Sequence, residues 1–317
     1  MYNEDLAKNR RPKFFVRSKA GLSLLASLVF LVGMTLNAVA ADYQLFARTN
    51  LMAWCIVPFD SKKRSPEKRA AMLENLGLRR FAYDYRAEHI PTFDDEIAAL
   101  KKRNIELTAW WFPQTLNPEA RKILTTLKRA NLQPQLWVMG GGDPKGEREL
   151  AQHFDREVLR IGTLAEAAAK IGCTVGLYNH GGWFGEPTNQ VAIITKLRMP
   201  NIGIVYNLHH AHEQIDRFKE NLELMKPHLL AININGMVEN GDKVGKKILP
   251  VGQGTRDLEL LKIIKNSGWR GPIGILNHTD EDAEARLRDN IEGLEWLVAQ
   301  LEGRSPGPKP IPRSWKP

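Results

Sequence analysis

Histidine residues follow asparagines or other histidines at the ends of three short apolar runs. The run "GLYNH" ends at His180, "GIVYNLHH" ends at His210, and "GILNH" ends at His278. Imidazole titrates near neutral pH and can act as a general acid or base. The neighbouring amides both donate and accept hydrogen bonds, which suits hydroxyl recognition. These residue types indicate proton transfer on, or binding of, a ligand rich in hydroxyl groups.

The elements that position these residues form a repeated pattern. Nearly continuous apolar runs alternate with amphipathic stretches, which indicates strands buried on both faces, as in a parallel sheet. Ser65-Pro66 and Asn117-Pro118 give helix-start signals between runs. Eight such units predict the α/β class and a single (β/α)₈ TIM barrel. A doubly wound open sheet is the alternative, which the lack of a glycine-rich phosphate turn after the first run weakens. The runs span 51–59, 80–85, 105–112, 134–140, 174–180, 201–210, 229–237 and 271–278.

The two ends of the chain differ in composition from the barrel. Residues 1–40 combine a basic start with an apolar run ending in "AVA", which predicts a signal peptide cleaved after Ala40. An uncleaved anchor is the alternative, because the run approaches the length of a membrane span. Residues 304–317 form a basic, proline-rich tail that we expect to be exposed. The expected barrel domain is therefore 41–303, in a periplasmic or secreted protein.

Charge and cysteine content argue against several partners. The net charge is +9, but part of it lies in the leader, and no Lys/Arg block alternates with aromatic residues. Nucleic-acid binding is therefore not predicted, and membrane contact is expected only if the N-terminal segment is an uncleaved anchor. Cys55 and Cys173 lie within apolar runs without zinc-site spacing, which predicts two buried free thiols, although export would permit a disulfide.

Active sites of (β/α)₈ barrels lie at the carboxyl ends of the strands, so polar residues there are candidates. His180 and His210 are the candidate catalytic residues, with a structural hydrogen bond as the alternative for each. We expect His209 to point away from His210, because side chains alternate along a strand. The candidate substrate-binding residues are Asp84, Trp110, Tyr178, Trp183, Glu186, Asn207, Asn235, Asn277 and His278.

Several of these candidates have competing structural interpretations. Tryptophan rings can stack on a sugar face, but alternation sends only one of Trp110 and Trp111 inward, with even odds for each. Glu186 also fits the negative charge favoured at a helix N-terminus. Lys243, Lys246 and Lys247 could meet an anionic substrate, although a solvated loop is the default.

Three stretches resemble the xylose isomerase-like TIM barrels, the superfamily of sugar phosphate isomerases/epimerases and endonuclease IV. They are "GLYNHGGWFGEP", "VYNLHHAHEQ" and "ILPVGQGTRDLELLKIIKNSGWRGPIGIL". The resemblance covers nearly all of residues 50–300. It implies a divalent metal held by a Glu ending strand five, an Asp opening a D-x-x-H motif on strand six, a His on strand seven and a Glu ending strand eight.

This chain has neutral residues at the positions where the family has its ligands. Tyr178 occupies the strand-five Glu position, Asn207 replaces the Asp, Asn233 or Asn235 replaces the strand-seven His, and Asn277 replaces the strand-eight Glu. Amides lack the negative charge that a dication prefers and cannot act as bases near pH 7. We therefore expect no tightly bound metal or other cofactor, while weak divalent-metal binding stays open.

The resemblance and the substitutions together predict an exported protein that acts on a carbohydrate or keto-sugar. The first hypothesis is a sugar isomerase, epimerase or lyase without the family's tightly bound metal, slightly favoured by the histidines at strand ends. The alternative is a non-catalytic carbohydrate-binding barrel, a pseudoenzyme. Phosphodiester cleavage like that of endonuclease IV is disfavoured, because most of the required His and carboxylate ligands are missing. The expected partner is a small carbohydrate.

Overall fold

The computed structural model describes residues 45–276 and 278–313. Eight parallel strands form a closed barrel in sequence order, and the last strand pairs with the first. This confirms the predicted single (β/α)₈ barrel. The strands are β1 Leu51–Trp54, β2 Arg80–Tyr83, β3 Glu106–Trp111, β4 Gln135–Val138, β5 Thr174–Tyr178, β6 Ile202–Asn207, β7 Leu229–Ile234 and β8 Ile273–Leu276. They are shorter than the apolar runs, because each run continues into the loop that follows its strand.

One long helix follows each strand within the described residues. Asn117 caps α3 as the sequence predicts, because its Oδ1 accepts a hydrogen bond of 2.8 Å from Ala120 N. Ser65 occupies the position before α1 without a capping side-chain bond. The helices are α1 Pro66–Asn75, α2 Phe93–Lys102, α3 Pro118–Ala130, α4 Gly146–Ala169, α5 Pro187–Leu197, α6 Phe218–Met225, α7 Asp257–Asn266 and α8 Ala283–Leu301.

The barrel interior mixes large and very small side chains. Trp54 and Trp137 meet edge to face with ring centroids 4.8 Å apart. Ala82 and Ala109, which pair across β2 and β3, and Ala231 on β7 belong to the same interior cluster. The large rings fill the space that the alanines leave, which gives the close packing expected of a barrel core.

A glycine and an asparagine share the space between β7 and β8. Asn233 is fully buried on β7 and lies opposite Gly274 of β8. A Cβ atom at position 274 would overlap the Oδ1 atom of Asn233. The Asn233 amide has no hydrogen-bond partner among the described groups, which makes it a costly polar group in the interior.

The C-terminal segment lies along α8 without regular secondary structure. Arg313 forms an ion pair with Asp289 at 3.0 Å and with Glu292 at 2.7 Å. The Trp296 Nε1–H donates to the Gly307 carbonyl at 3.3 Å. These contacts attach residues up to 313 to the last helix; residues 314–317 lie outside the described range.

Cys55 and Cys173 are both buried and unpaired, which confirms the two predicted free thiols. In the part of the chain that the structure describes, no helix is long and apolar enough to cross a membrane. The predicted signal peptide, residues 1–40, lies outside the described residues.

Candidate functional site

A narrow cavity of about 80 Å³ lies at the carboxyl ends of the strands. Its wall is built from residues that end β1, β2, β3, β5 and β6 or follow β8. A larger cavity of about 330 Å³ lies at the opposite end of the barrel, where the amino ends of β2, β3 and β4 meet, and contains no histidine. The lining residues of the narrow cavity are Trp54, Cys55, Phe59, Asp84, Arg86, Trp111, Tyr178, His180, His209, His210 and His278.

Four histidines form one side of this cavity, which we call the imidazole wall: His180, His209, His210 and His278. The ring centroids of His209 and His210 are 3.6 Å apart, and those of His180 and His210 are 4.3 Å apart. His278 lies 5.4 Å from His209. The predicted histidines are therefore brought together in one contiguous cluster.

The prediction that His209 points away from His210 is wrong. Residues 208–210 form a turn of 3-10 helix directly after β6, so strand alternation does not apply to them. The backbone N–H of His209 donates to Asn207 Oδ1 at 3.2 Å, which fixes this turn. Both imidazoles consequently face the cavity.

Burial keeps the imidazole wall uncharged. Desolvation lowers the pKa of all four histidines, and the Lys247 charge lowers each of them further. Arg86 adds to this effect at His278, and neighbouring imidazoles add to it at His209, His210 and His278. The pKa of His210 falls to about 2. At neutral pH the imidazoles are therefore neutral, and each can both donate and accept a hydrogen bond.

A second part of the cavity lining, which we call the carboxyl wall, consists of Asp84, Cys55 and Arg86. Asp84 is buried after β2, and burial raises the pKa of its carboxyl to about 7, while the Arg86 charge opposes the increase. Its Oδ1 atom accepts a hydrogen bond of 3.3 Å from Val57 N. The carboxyl can therefore donate or accept a proton near pH 7.

Cys55 and Arg86 shape the surroundings of this carboxyl. Cys55 has a left-handed backbone, with φ of +57°, and its pKa is raised by burial and by the nearby Asp84 charge. The Arg86 guanidinium donates to the carbonyls of Asp84 and Tyr85, both at 2.8 Å, and lies over the Phe59 ring at 5.5 Å. Arg86 thus supplies a positive charge beside the carboxyl.

Tyr178 connects the two walls. Its hydroxyl oxygen accepts hydrogen bonds from Trp54 Nε1–H, at 3.2 Å, and from the Asn207 amide nitrogen. Asn207 lies fully buried behind this tyrosine and does not line the cavity. Asn207 therefore supports Tyr178 and His209 from outside the cavity lining, and its predicted substrate contact stays a prediction.

The alternation of β3 places Trp111, and not Trp110, in the cavity. The Trp111 ring centroid is 5.1 Å from that of Tyr178. Trp110 faces the helix layer, 4.8 Å from both Tyr83 and Phe93. The Trp110 ring therefore belongs to the outer core and not to the cavity lining, and its predicted substrate contact stays a prediction.

Trp183 and Glu186 also lie outside the cavity lining. Residues 183–185 form a 3-10 turn, and Trp183 packs edge to face on His153 at 4.7 Å. Glu186 occupies the position before α5, and its carboxylate accepts a hydrogen bond of 2.9 Å from Gln214 Nε2. Both side chains stabilise the loop after β5 instead of contacting the cavity.

Asn235 holds the loop after β7. Its Nδ2 donates to the carbonyls of Gly236 at 2.9 Å and of Lys247 at 3.3 Å. This buried amide does not line the cavity, and its predicted substrate contact stays a prediction. Asn277 lies outside the described residues, so its predicted contact stays a prediction.

The residues present do not fit the divalent metal that the family resemblance implies. Across 45–276 and 278–313, no three His, Cys, Asp or Glu side chains are arranged to hold a metal ion. Asp84 is the one carboxylate among the lining residues, and the imidazoles contact each other ring to ring. A hard dication prefers several oxygen ligands around one point, which this donor set does not offer.

Sequence reasoning missed a further set of cavity residues. Arg86 directly follows the predicted end of β2, so it would have been a candidate if the residue after each predicted strand end had been included. Cys55 and Phe59 lie beyond the real end of β1, within a run that reads as one long strand. Placing His209 in the cavity required knowledge of the 3-10 turn after β6, and placing Trp111 there required the register of β3 with β2. The missed lining residues are Trp54, Cys55, Phe59, Arg86 and His209, whereas Trp111 was the stated alternative to Trp110.

A closed parallel barrel with a cavity at the carboxyl ends of its strands defines a (β/α)₈ protein with a site in the usual place. The model of the xylose isomerase-like TIM barrel family matches residues 72–300. The chain belongs to this family. No curated protein matches its sequence.

Solved structures share the fold at low sequence identity. The apo form of 3-keto-D-glucoside 4-epimerase YcjR from E. coli has a TM-score of 0.57 at 14% identity, covering 79% of this chain and 99% of the epimerase. A xylose isomerase domain protein from Alicyclobacillus acidocaldarius has a TM-score of 0.58 at 19% identity, and the match covers 81% of this chain and 100% of that protein. D-psicose 3-epimerase with D-tagatose from Clostridium cellulolyticum H10 has a TM-score of 0.56 at 12% identity, and the match covers 78% of this chain and 97% of that epimerase.

Proposed function

We propose that the protein is an isomerase, epimerase or lyase that removes a proton next to the carbonyl of a carbohydrate or keto-sugar, without a tightly bound metal. One observation carries the proposal: the Asp84 carboxyl, whose pKa is about 7, shares one cavity with four neutral imidazoles. All three reaction types begin with the same proton transfer. If residues 1–40 are a cleaved signal peptide, as the sequence predicts, the protein acts after export.

The proposed step uses one group from each wall. The neutral imidazole of His180, which is more exposed than His210 and whose pKa is not lowered to about 2, takes the proton as the C–H bond breaks, and the electron pair of that bond moves onto the carbonyl oxygen as an enolate. Protonated Asp84 then donates its proton to the same carbon from the other side, which restores the carbonyl in the epimer. Water removes the proton from the imidazolium and returns one to the carboxylate. The nearby charges of Arg86 and Lys247 stabilise the enolate.

The substrate class is supported by the lining and by the family. The Trp111 ring offers an apolar face, while the imidazoles offer hydrogen bonds to hydroxyl groups. Two of the structural neighbours are sugar epimerases, one of a 3-keto-glucoside and one of a ketose. A small carbohydrate with a carbonyl group is therefore the proposed ligand.

Hydrogen–deuterium exchange tests this proposal without knowledge of the product. The protein is incubated in D₂O with dihydroxyacetone, D-fructose, D-tagatose and 3-keto-D-glucose, and loss of the C–H signal beside the carbonyl is followed by proton NMR. We expect exchange with at least one ketose, and exchange slowed by about 10²- to 10⁴-fold with Asp84→Asn. Glu88→Gln, which removes an exposed carboxylate in the loop after β2, is the matched control and should exchange normally.

The same assay separates the competing hypotheses. Exchange that survives dialysis against EDTA supports the metal-free site, whereas exchange restored only by Mn²⁺ or Mg²⁺ contradicts it. Binding of a ketose in calorimetry, with no exchange for any of the four sugars, would favour the pseudoenzyme that binds carbohydrate without turnover.

A further inference from the structure

The hydrogen bonds around Tyr178 fix the direction of its hydroxyl proton. Trp54 Nε1 can only donate, so its 3.2 Å contact uses the phenol oxygen as acceptor. The Asn207 amide nitrogen also donates to this oxygen. The phenol therefore accepts two hydrogen bonds and still has its own proton to donate.

The orientation of the Asn207 amide is not open to reversal. Its Oδ1 accepts the backbone N–H of His209 at 3.2 Å. Turning the amide over would place its NH₂ group against this N–H donor, with two donors facing each other. Asn207 Nδ2 must then face Tyr178 as a donor.

The proton of Tyr178 has one direction left. No acceptor for it lies within hydrogen-bond distance among the residues of 45–276 and 278–313. The side chain is 2% exposed, and it lines the cavity between the two walls. A buried hydroxyl keeps its proton unbonded only at a cost, which a ligand acceptor in the cavity would remove.

We propose that Tyr178 donates its hydroxyl proton as a hydrogen bond to the carbonyl oxygen of the bound keto-sugar, polarising that carbonyl as the reaction begins. This role rests on the proposed function, in which the same oxygen becomes the enolate oxygen. Burial holds the pKa of the phenol well above its ordinary value, so the proton stays on Tyr178 throughout. A hydrogen-bond donor thus does what a Lewis acid would otherwise do at this carbonyl.

Infrared spectroscopy of a bound carbonyl tests this role independently of turnover. Difference spectra are recorded with [2-¹³C]dihydroxyacetone bound to the full chain. We expect the carbonyl stretch to shift to lower frequency on the wild type, and the shift to be lost on Tyr178→Phe. Tyr83→Phe is the matched control, because Tyr83 is also buried but faces α2, outside the cavity. It should retain the shift.

The outcomes separate this inference from the proposed function. A shifted carbonyl without any C–H exchange supports the Tyr178 role and contradicts the proposed reaction. Exchange at the wild-type rate in Tyr178→Phe, or no carbonyl shift on the wild type, overturns the Tyr178 role. We expect Tyr178→Phe to lower kcat by about 10²-fold with a smaller change in KM.

A second variant keeps the test valid if Tyr178→Phe folds poorly. Site-specific 3-fluorotyrosine at position 178 preserves the side-chain shape and makes the hydroxyl a stronger donor. We expect a larger carbonyl shift than on the wild type. An unchanged shift would contradict the donor role.

Discussion

The two walls of the cavity respond to the same burial in opposite directions. Desolvation raises the pKa of Asp84 on the carboxyl wall to about 7, and it lowers the pKa of His210 on the imidazole wall to about 2. In water the first group would be charged near pH 6 and the second partly charged. In the cavity both are largely neutral at that pH, so the protein has placed an uncharged carboxylic acid and uncharged imidazoles around one cavity.

This difference shows how the barrel can support proton transfer without a dication. A metal site stabilises negative ligands and makes acids stronger. A cavity without such an ion favours neutral forms, in which a carboxylic acid can donate and an imidazole can accept. The positive charges of Arg86 and Lys247 then remain available for the negative charge that develops on the substrate.

Removal of the acid should have the largest effect. Asp84→Asn keeps the side-chain shape and an acceptor for Val57 N, but it cannot transfer a proton. We expect C–H exchange to fall by about 10²- to 10⁴-fold. NMR exchange rates at pH 6.5 measure this. A rate within threefold of wild type would remove Asp84, and with it the carboxyl wall, from the proposed step.

Removal of the base should have the next largest effect. His180→Gln is expected to slow exchange by about 10²-fold, because neighbouring His210 is a much weaker base and can take over as proton acceptor only in part. The double variant His180→Gln/His210→Gln should be slower still. His228→Gln, in the turn before β7, is the control and should leave the rate unchanged. A slower rate in His228→Gln would show that the effect is not specific to the imidazole wall.

The opposite pKa shifts predict opposite effects of pH on folding stability. The raised pKa of Asp84 contributes stability at low pH that is lost as pH rises towards 7, whereas the lowered pKa of His210 costs stability once the unfolded chain protonates below about pH 6.5. Relative to the wild type, the free energy of unfolding of Asp84→Asn should rise by about 2 kcal/mol as the pH is raised from 5 to 7.5. That of His210→Gln should rise by about 2 kcal/mol as the pH is lowered from 7.5 to 5.

Urea unfolding at both pH values measures these differences. Comparison with wild type cancels the contribution of Asp257, whose pKa burial also raises to about 7. Parallel pH trends in the two variants would contradict opposite shifts on the two walls.

The smallest effect is expected from Arg86→Gln. The Arg86 charge lowers the pKa of Asp84 against the effect of burial. Without this charge the Asp84 carboxyl stays protonated to higher pH. We therefore expect the exchange rate at pH 8, taken as a fraction of the rate at each protein's own optimum, to be about two- to threefold higher in Arg86→Gln than in the wild type. A pH–rate profile of kcat/KM measures this, and a profile moved to lower pH would contradict it.

The fold could be predicted from the sequence, because it depends on periodicity and element ends. Eight buried runs with helices between them define the barrel without further information. The same pattern located His180, His210, His278, Tyr178 and Asp84, since each lies at or just after a strand end, and all five line the cavity.

The failures come from local geometry that periodicity does not encode. The inward face of β3 depends on its register with β2, which shifts between Phe81 and Ala82 and was not visible in the sequence. His209 and Trp183 lie in 3-10 turns, which have neither helical nor strand periodicity. The shifted pKa values depend on burial in three dimensions, so no pattern of residues could give them.

Gly274 and Asn233 have a consequence for which sequences this barrel can accept. Because one residue occupies the volume that the other would need, the two positions are open to change only together. A larger side chain at position 274 requires a smaller one at position 233, and each single change is expected to be worse than the pair. Among sequences with this fold, the two positions should therefore covary, with their summed side-chain volume held nearly constant.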